Sequence, residues 1–186
     1  MAISGQLSKR RAANAKALAA FGMTGAVNGA NSLYRVVREG RAITVFTIGY
    51  ERRDGDGLVA ALRDAGIDHL ADIRDKPISR KPDFRASALR AICEDAGIEY
   101  GAWSELGSTE DQRERLRESG DIDAFHRAFR RHALKNMDVP IARLTKVVKA
   151  KVVALLCYER THEECHRSVI ADLLADRLNA GITAIM

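Results

Sequence analysis

The spacing of apolar and polar positions divides the chain from residue 41 onward into strand-like and helix-like segments. Val152-Val153-Ala154-Leu155-Leu156 is apolar on both alternating faces and ends at Cys157. A strand of that kind needs cover above and below, which predicts a central strand of a parallel sheet. After a polar loop, Val169, Ile170, Leu173, Leu174 and Leu178 form a helical stripe. Thr161 followed three residues later by Glu164 matches a capping box, so the helix is expected to start there. Cys165, His166 and Arg167 then fall in its first two turns.

The segments before this stretch alternate in the same way. Ile43 to Ile48 is a β-branched run that stops at Gly49, and Leu58, Val59, Leu62 and Ala65 give a helical stripe that ends at Gly66. His69 to Ile73 reads as a second strand. Leu89, Ile92, Cys93 and Ala96 mark a second helix ending at Gly97, and Ile98 to Trp103 a third strand. From Ser108 to Ala150 the pattern is helical and strongly charged. Ile122, Phe125, Phe129 and Ala133 form one stripe there, and Pro140 sits at a first-turn position of the next helix. Ile182 to Ile185 closes the chain as a last strand. Strands alternating with helices predict an α/β fold of three layers, Rossmann-like, with a mostly parallel five-stranded sheet and a helical insertion between the third and fourth strands.

Residues 41–186 are therefore expected to form the α/β domain. Residues 1–40 read as a basic helical or flexible N-terminal extension. Leu7 to Phe21 is alanine-rich and helix-favouring, Gly22 to Asn31 is rich in breakers, and Leu33 to Arg38 suits helix or strand.

Composition adds bounds. A chain of 186 residues, 46% hydrophobic and 30% charged, holds one well-buried domain with some to spare, which excludes the disordered and fibrous classes. No apolar run approaches the roughly 20 residues of a membrane helix, and the alanine-rich N-terminus is a poor secretory signal. The expectation is a cytoplasmic protein with no membrane partner. Three cysteines, without a dense framework, fit a reducing compartment. Charge changes the picture more: residues 1–41 carry seven bases against one acid, while the rest is close to neutral. Such a segment is a candidate footprint for nucleic acid, although the aromatic residues that stack on bases are nearly absent, and a solvated face is the plain alternative.

In open parallel sheets ligands bind outside the carboxyl ends of the strands. Two such ends carry polar residues here. The second strand ends in Asp72 and Arg74, followed by Lys76, Arg80 and Lys81 between Pro77 and Pro82, a lip suited to a phosphate or other anion. The plain alternative is an ion pair at a strand end. The turn after Cys157 gathers Glu159, Cys165, His166 and Arg167, and three chemistries suit it. Cys165 near a helix start, beside His166 and Arg167, has the electropositive setting of a thiol nucleophile, with Asp72 or His166 as proton acceptor. Cys157, Cys165 and His166, with Asp72, offer ligands for zinc, but adjacent Cys and His do not readily face one ion from a regular helix, so no metal is assigned. Cys157 and Cys165 also suit a disulfide across the turn. Against all three stands a structural role in which His166 and Arg167 bind loop carbonyls. Cys93, on a buried stripe, reads as an inert thiol.

Thr47-Ile48-Gly49-Tyr50, Asp72-Ile73-Arg74, Pro77-Ile78-Ser79-Arg80 with Phe84, Tyr100, Glu105-Leu106-Gly107, Leu156-Cys157-Tyr158-Glu159 and Cys165-His166-Arg167 follow one another in an order that resembles the domain of unknown function 488 family. The resemblance runs from about Thr44 to the C-terminus. It implies a compact α/β protein without a settled reaction or substrate, and no cofactor is assigned. The polar positions it matches are Asp72, Arg74, Ser79, Arg80, Cys157, Glu159, Cys165, His166 and Arg167; Tyr50 departs from the family pattern, which often has His there.

Two functions are carried forward. One is an enzyme with a cysteine-centred site (Cys165, His166, Asp72, Cys157) acting on an anionic small molecule or nucleotide-like group held by Arg74, Ser79, Arg80, Arg167 and Glu159. The other is a non-catalytic nucleic-acid or protein-binding module that uses the basic extension. Asp72, Arg74, Cys157, Cys165, His166 and Arg167 are expected to converge on one pocket.

Overall fold

A computed structural model describes residues 42–186. The expected helix at Leu7–Phe21, the breaker-rich segment, the segment Leu33–Arg38 and the boundary near Gly40 lie outside the described residues.

The five strands are β1 (Thr44–Gly49), β2 (His69–Asp72), β3 (Glu99–Ala102), β4 (Val153–Cys157) and β5 (Gly181–Ile185). They form one sheet in the order β3-β2-β4-β1-β5, and every pairing is parallel. The apolar run on β4 is buried at all five positions because it lies at the centre of the sheet. Leu156 stands opposite both Ile48 and Asp72, and Cys157 opposite Gly49. β5 lies at an edge and has no fully buried residue.

Six helices cover the sheet among the described residues: α1 (Gly55–Asp64), α2 (Ala86–Asp95), α3 (Glu110–Ser119), α4 (Ile122–Asn136), α5 (Asp138–Ala150) and α6 (His166–Leu178). Their starts follow from local chemistry. The Asp54 and Asp121 carboxylates accept from Gly57 and Ala124 N–H, each at 2.8 Å, and Thr109 with Gln112 forms a reciprocal capping box on α3.

Period-2 alternation along the strands sorts the core into two layers. Ile48, Leu70 and Leu156 pack with Leu58, Leu62 and Leu89 from α1 and α2. Val45, Ala71 and Leu155 pack with Phe129, Leu144 and Ile170 from α4, α5 and α6. Apart from Ala71, each of these fully buried side chains contributes roughly 1.5–3 kcal/mol of apolar transfer energy. The chain lays down β1, β2 and β3 in one direction with helices on one face. It then returns through β4 to β5 with helices on the other, as right-handed crossovers require when the direction of strand addition reverses. The reversal places β4 between β2 and β1, so their carboxyl ends form the switch-point crevice. Among the described residues, no helix is long and apolar enough to cross a membrane.

One sequence expectation fails at the helix that matters most. α6 begins at His166, five residues after Thr161, and its N-cap is Cys165 in an extended conformation (φ −128°, ψ 146°). Residues 158–165 have other ties that hold them out of a helix. The Arg160 N–H donates to the Glu51 carboxylate at 3.1 Å, the Cys165 N–H to His162 O at 3.3 Å, and the Arg167 guanidinium to the carbonyls of Glu159 and Arg160.

Candidate functional site

The carboxyl ends of β4, β1 and β2 meet at this loop. Gly49 is required at the end of β1, because a side chain there would come within 1.9 Å of the Glu159 carbonyl oxygen. The loop backbone therefore lies directly on the strand. It encloses Cys157, Cys165 and His166, which are 5%, 1% and 4% exposed.

His166 organises the cluster. Its Nε2 lies 3.1 Å from the carbonyl oxygen of Ile73, the residue just past β2, so the Nε2–H is donated there. That contact turns Nδ1 toward the sulfurs, with Cys157 Sγ at 3.6 Å and Cys165 Sγ at 3.7 Å. Cys165 reaches this position because the N-cap is extended; from a regular helix it would diverge from His166. Its Sγ also accepts the Arg167 N–H at 3.5 Å, and the Glu159 carboxylate lies 3.2 Å from Cys157 Sγ. The Phe129 ring packs edge-on against His166, with centroids 5.3 Å apart, and supplies an apolar wall.

These contacts drive the protonation equilibria apart. The hydrogen bond from Cys165 lowers the Cys157 pKa against the opposing effect of burial, and the charge of His166 lowers it further. Burial, together with the hydrogen bond and charge of Cys157, pushes the Cys165 thiol up. Burial opposes a charged His166 and is the largest single influence, but the charge and hydrogen bond of Cys157, with the Ile73 carbonyl and the charge of Glu159, together raise the imidazole. The pair thus sheds one proton readily and holds the second. Glu159 is raised by burial and by the charge of Cys157.

Asp72 and Arg74 do not join this cluster. Alternation on β2 puts Asp72 in phase with Leu70, on the α1/α2 face, whereas Cys157 is in phase with Leu155 on the other. Asp72 receives the Arg74 Nε–H at 2.8 Å and Nη2–H at 2.6 Å, plus the Tyr100 hydroxyl at 2.8 Å. Arg74 also donates to the Tyr50 hydroxyl and to Phe84 O, both at 2.9 Å. Burial works against the Arg74 charge, but the hydrogen bond and charge of Asp72 prevail and hold it firmly protonated. Tyr100 is pushed up by burial and then by Asp72. The six residues expected in one pocket therefore divide between two faces, joined through Ile73.

The expected anion lip is also altered. Lys81 donates to the carbonyls of Tyr50, Glu51 and Arg53 at 3.3, 2.6 and 2.9 Å and so pins the turn after β1. The Ser79 hydroxyl accepts the Lys81 N–H at 3.1 Å, and Arg80 is exposed. Arg167, 1% exposed, holds the loop carbonyls, as the structural alternative for it supposed.

Sequence reading missed Thr47, His126 and His162. The Thr47 hydroxyl, fully buried beneath the loop, lies 3.0 Å from His162 Nδ1. His126 on α4 has a buried Nε2 with no protein partner. Thr47 carried one usable signal: it is a hydroxyl in a strand otherwise apolar on that face.

Residues 42–186 thus form an all-parallel α/β fold with a buried cysteine–histidine cluster at the switch point of its sheet. The chain belongs to the domain of unknown function DUF488 family, whose model matches residues 56–174. That span includes both clusters except Tyr50 and the end of β1. No curated protein and no solved structure gives a significant match.

Proposed function

We propose that the protein is an enzyme whose chemistry is centred on Cys157, Cys165 and His166, acting on an anionic small molecule or nucleotide-like group. The observation that carries this reading is the approach of two sulfurs to one imidazole nitrogen at the carboxyl edge of a parallel sheet. Cys157 replaces Cys165 as the nucleophile, because the shared charge settles on it. In the first step its thiol proton passes to His166 Nδ1 and the sulfur attacks an electrophilic carbon or phosphorus. The imidazolium then returns that proton to the leaving group. Asp72 takes no part, being held by Arg74 and Tyr100. Exposed Arg80 and Arg160 are the side chains available to attract an anion toward the loop.

Alkylation of the reduced, folded chain tests this. Iodoacetamide at neutral pH should modify Cys157 first and leave Cys93, whose thiol burial pushes up to about 11, unmodified until strongly alkaline pH. His166→Gln should slow the Cys157 reaction by at least about a hundredfold, the low end of what a positioned proton acceptor supplies. Equal, slow labelling of all three cysteines would reject the reading in favour of a structural turn.

A second reading rests on the segregated charge of residues 1–41, which favours a polyanion-binding role for that segment independent of the cysteine site.

A further inference from the structure

The cysteine cluster has a geometry that thiol chemistry alone does not demand. A neutral imidazole nitrogen has a single lone pair in the ring plane and can accept one hydrogen bond along it. Two thiols at nearly equal distances of 3.6 and 3.7 Å cannot both be served by it. A cation at a shared centre, by contrast, meets one lone pair from each atom. With Zn–S of about 2.3 Å, Zn–N of about 2.0–2.1 Å and tetrahedral angles, the sulfur-to-nitrogen edge of a zinc site is about 3.5–3.6 Å. Both observed edges lie close to that value, and all three ligand atoms lie within 4.8 Å of one another.

The surroundings fit the same centre. His166 Nε2–H is fixed on the Ile73 carbonyl, the outer contact that selects the tautomer with Nδ1 free to ligate. The Arg167 N–H points to Cys165 Sγ, as backbone donors do toward a ligating thiolate. Charge also balances: two thiolates cancel a divalent ion, and buried Arg167 offsets Glu159, so no net charge is left in the protein interior. The obstacle read from sequence, that neighbouring Cys and His diverge on a helix, is removed by the extended N-cap.

We propose that Cys157 Sγ, Cys165 Sγ and His166 Nδ1 form a binding site for one soft or borderline divalent cation, of which zinc is the natural occupant. The site shares its atoms with the proposed enzyme centre but does not depend on their nucleophilicity. Occupancy ties up both sulfurs and so switches thiol reactivity off.

The test uses the full-length chain, reduced and stripped of metal, with Co²⁺ and then Zn²⁺ as probes. Co²⁺ should bind at one equivalent with a sulfur-to-cobalt charge-transfer band, and Zn²⁺ should displace it. Zn²⁺ should also protect Cys157 and Cys165 from iodoacetamide without altering Cys93. Cys157→Ser, Cys165→Ser and His166→Gln should each weaken binding by more than the roughly 10–100-fold that loss of an outer-shell partner costs, whereas Cys93→Ser should not change it. If a variant fails to fold, protection of the wild-type sulfurs still decides. Absence of the charge-transfer band, or alkylation of both cysteines unaffected by saturating Zn²⁺, overturns the site. Such a failure leaves the alkylation of metal-free Cys157 intact. Conversely, an inert Cys157 in a chain that binds Zn²⁺ removes the enzyme reading alone.

Discussion

Among the described residues, Asp72 and Arg74 form a buried, densely hydrogen-bonded pair. Asp72 is 1% exposed and Arg74 6%, and their contacts extend to Tyr50, Tyr100 and Phe84. Asp72→Asn would leave the guanidinium buried without a counter-charge, so it should cost about 3–5 kcal/mol in denaturant unfolding at neutral pH. A loss below about 1 kcal/mol, the range of an exposed pair, would show that the pair does not stabilise the fold. Both residues stand out in the sequence as charges at a strand end, but they are read there as site residues, with the ion pair only as the plain alternative. Their position relative to Cys157 is not legible there. Alternation tells that Asp72 shares a face with Leu70 and Cys157 with Leu155, but matching faces between strands 84 positions apart needs the register, here Leu70 opposite Ala154. Local sequence carries no record of that pairing.

Strands and helices were the more legible level, since burial on both faces of β4, stripes on α1, α2 and α4, and the glycine stops all derive from near neighbours. The start of α6 was misread for the opposite reason. Thr161 and Glu164 have capping-box spacing, yet the backbone just before them, at Glu159 and Arg160, is held by Arg167, by Glu51 and by close packing on Gly49, contacts visible only in three dimensions. The start of β2 offers a test of another kind. Burial lowers the His69 pKa below its ordinary 6.5, opposed by the charge of Glu99 on β3 and reinforced by Lys151. Because the folded pKa lies below the unfolded one, the unfolded chain binds the proton first. His69 is therefore neutral to stability above about pH 6.5 and costs stability as pH falls below it. Denaturation midpoints should fall between pH 7.5 and 5.5, and His69→Gln should fall less steeply. An unchanged slope would mean that the buried ring accepts a proton as easily as in the unfolded chain.

For the molecule as a whole, the two proposed activities occupy different stretches of chain. Removing residues 1–40 should weaken binding to DNA or RNA and flatten its salt dependence, while leaving the Cys157 alkylation rate unchanged. Equal affinity of the truncated and intact chains at low and moderate salt would end the polyanion reading. The end of β2 has a further consequence. In three successive residues, Asp72 and Arg74 send their side chains into one half of the core, and the Ile73 carbonyl grips the imidazole of the other half. The Ile73–Arg74 peptide is thus common to two chemically unrelated clusters, so a substitution that displaces the Arg74 backbone should also displace the carbonyl that orients His166.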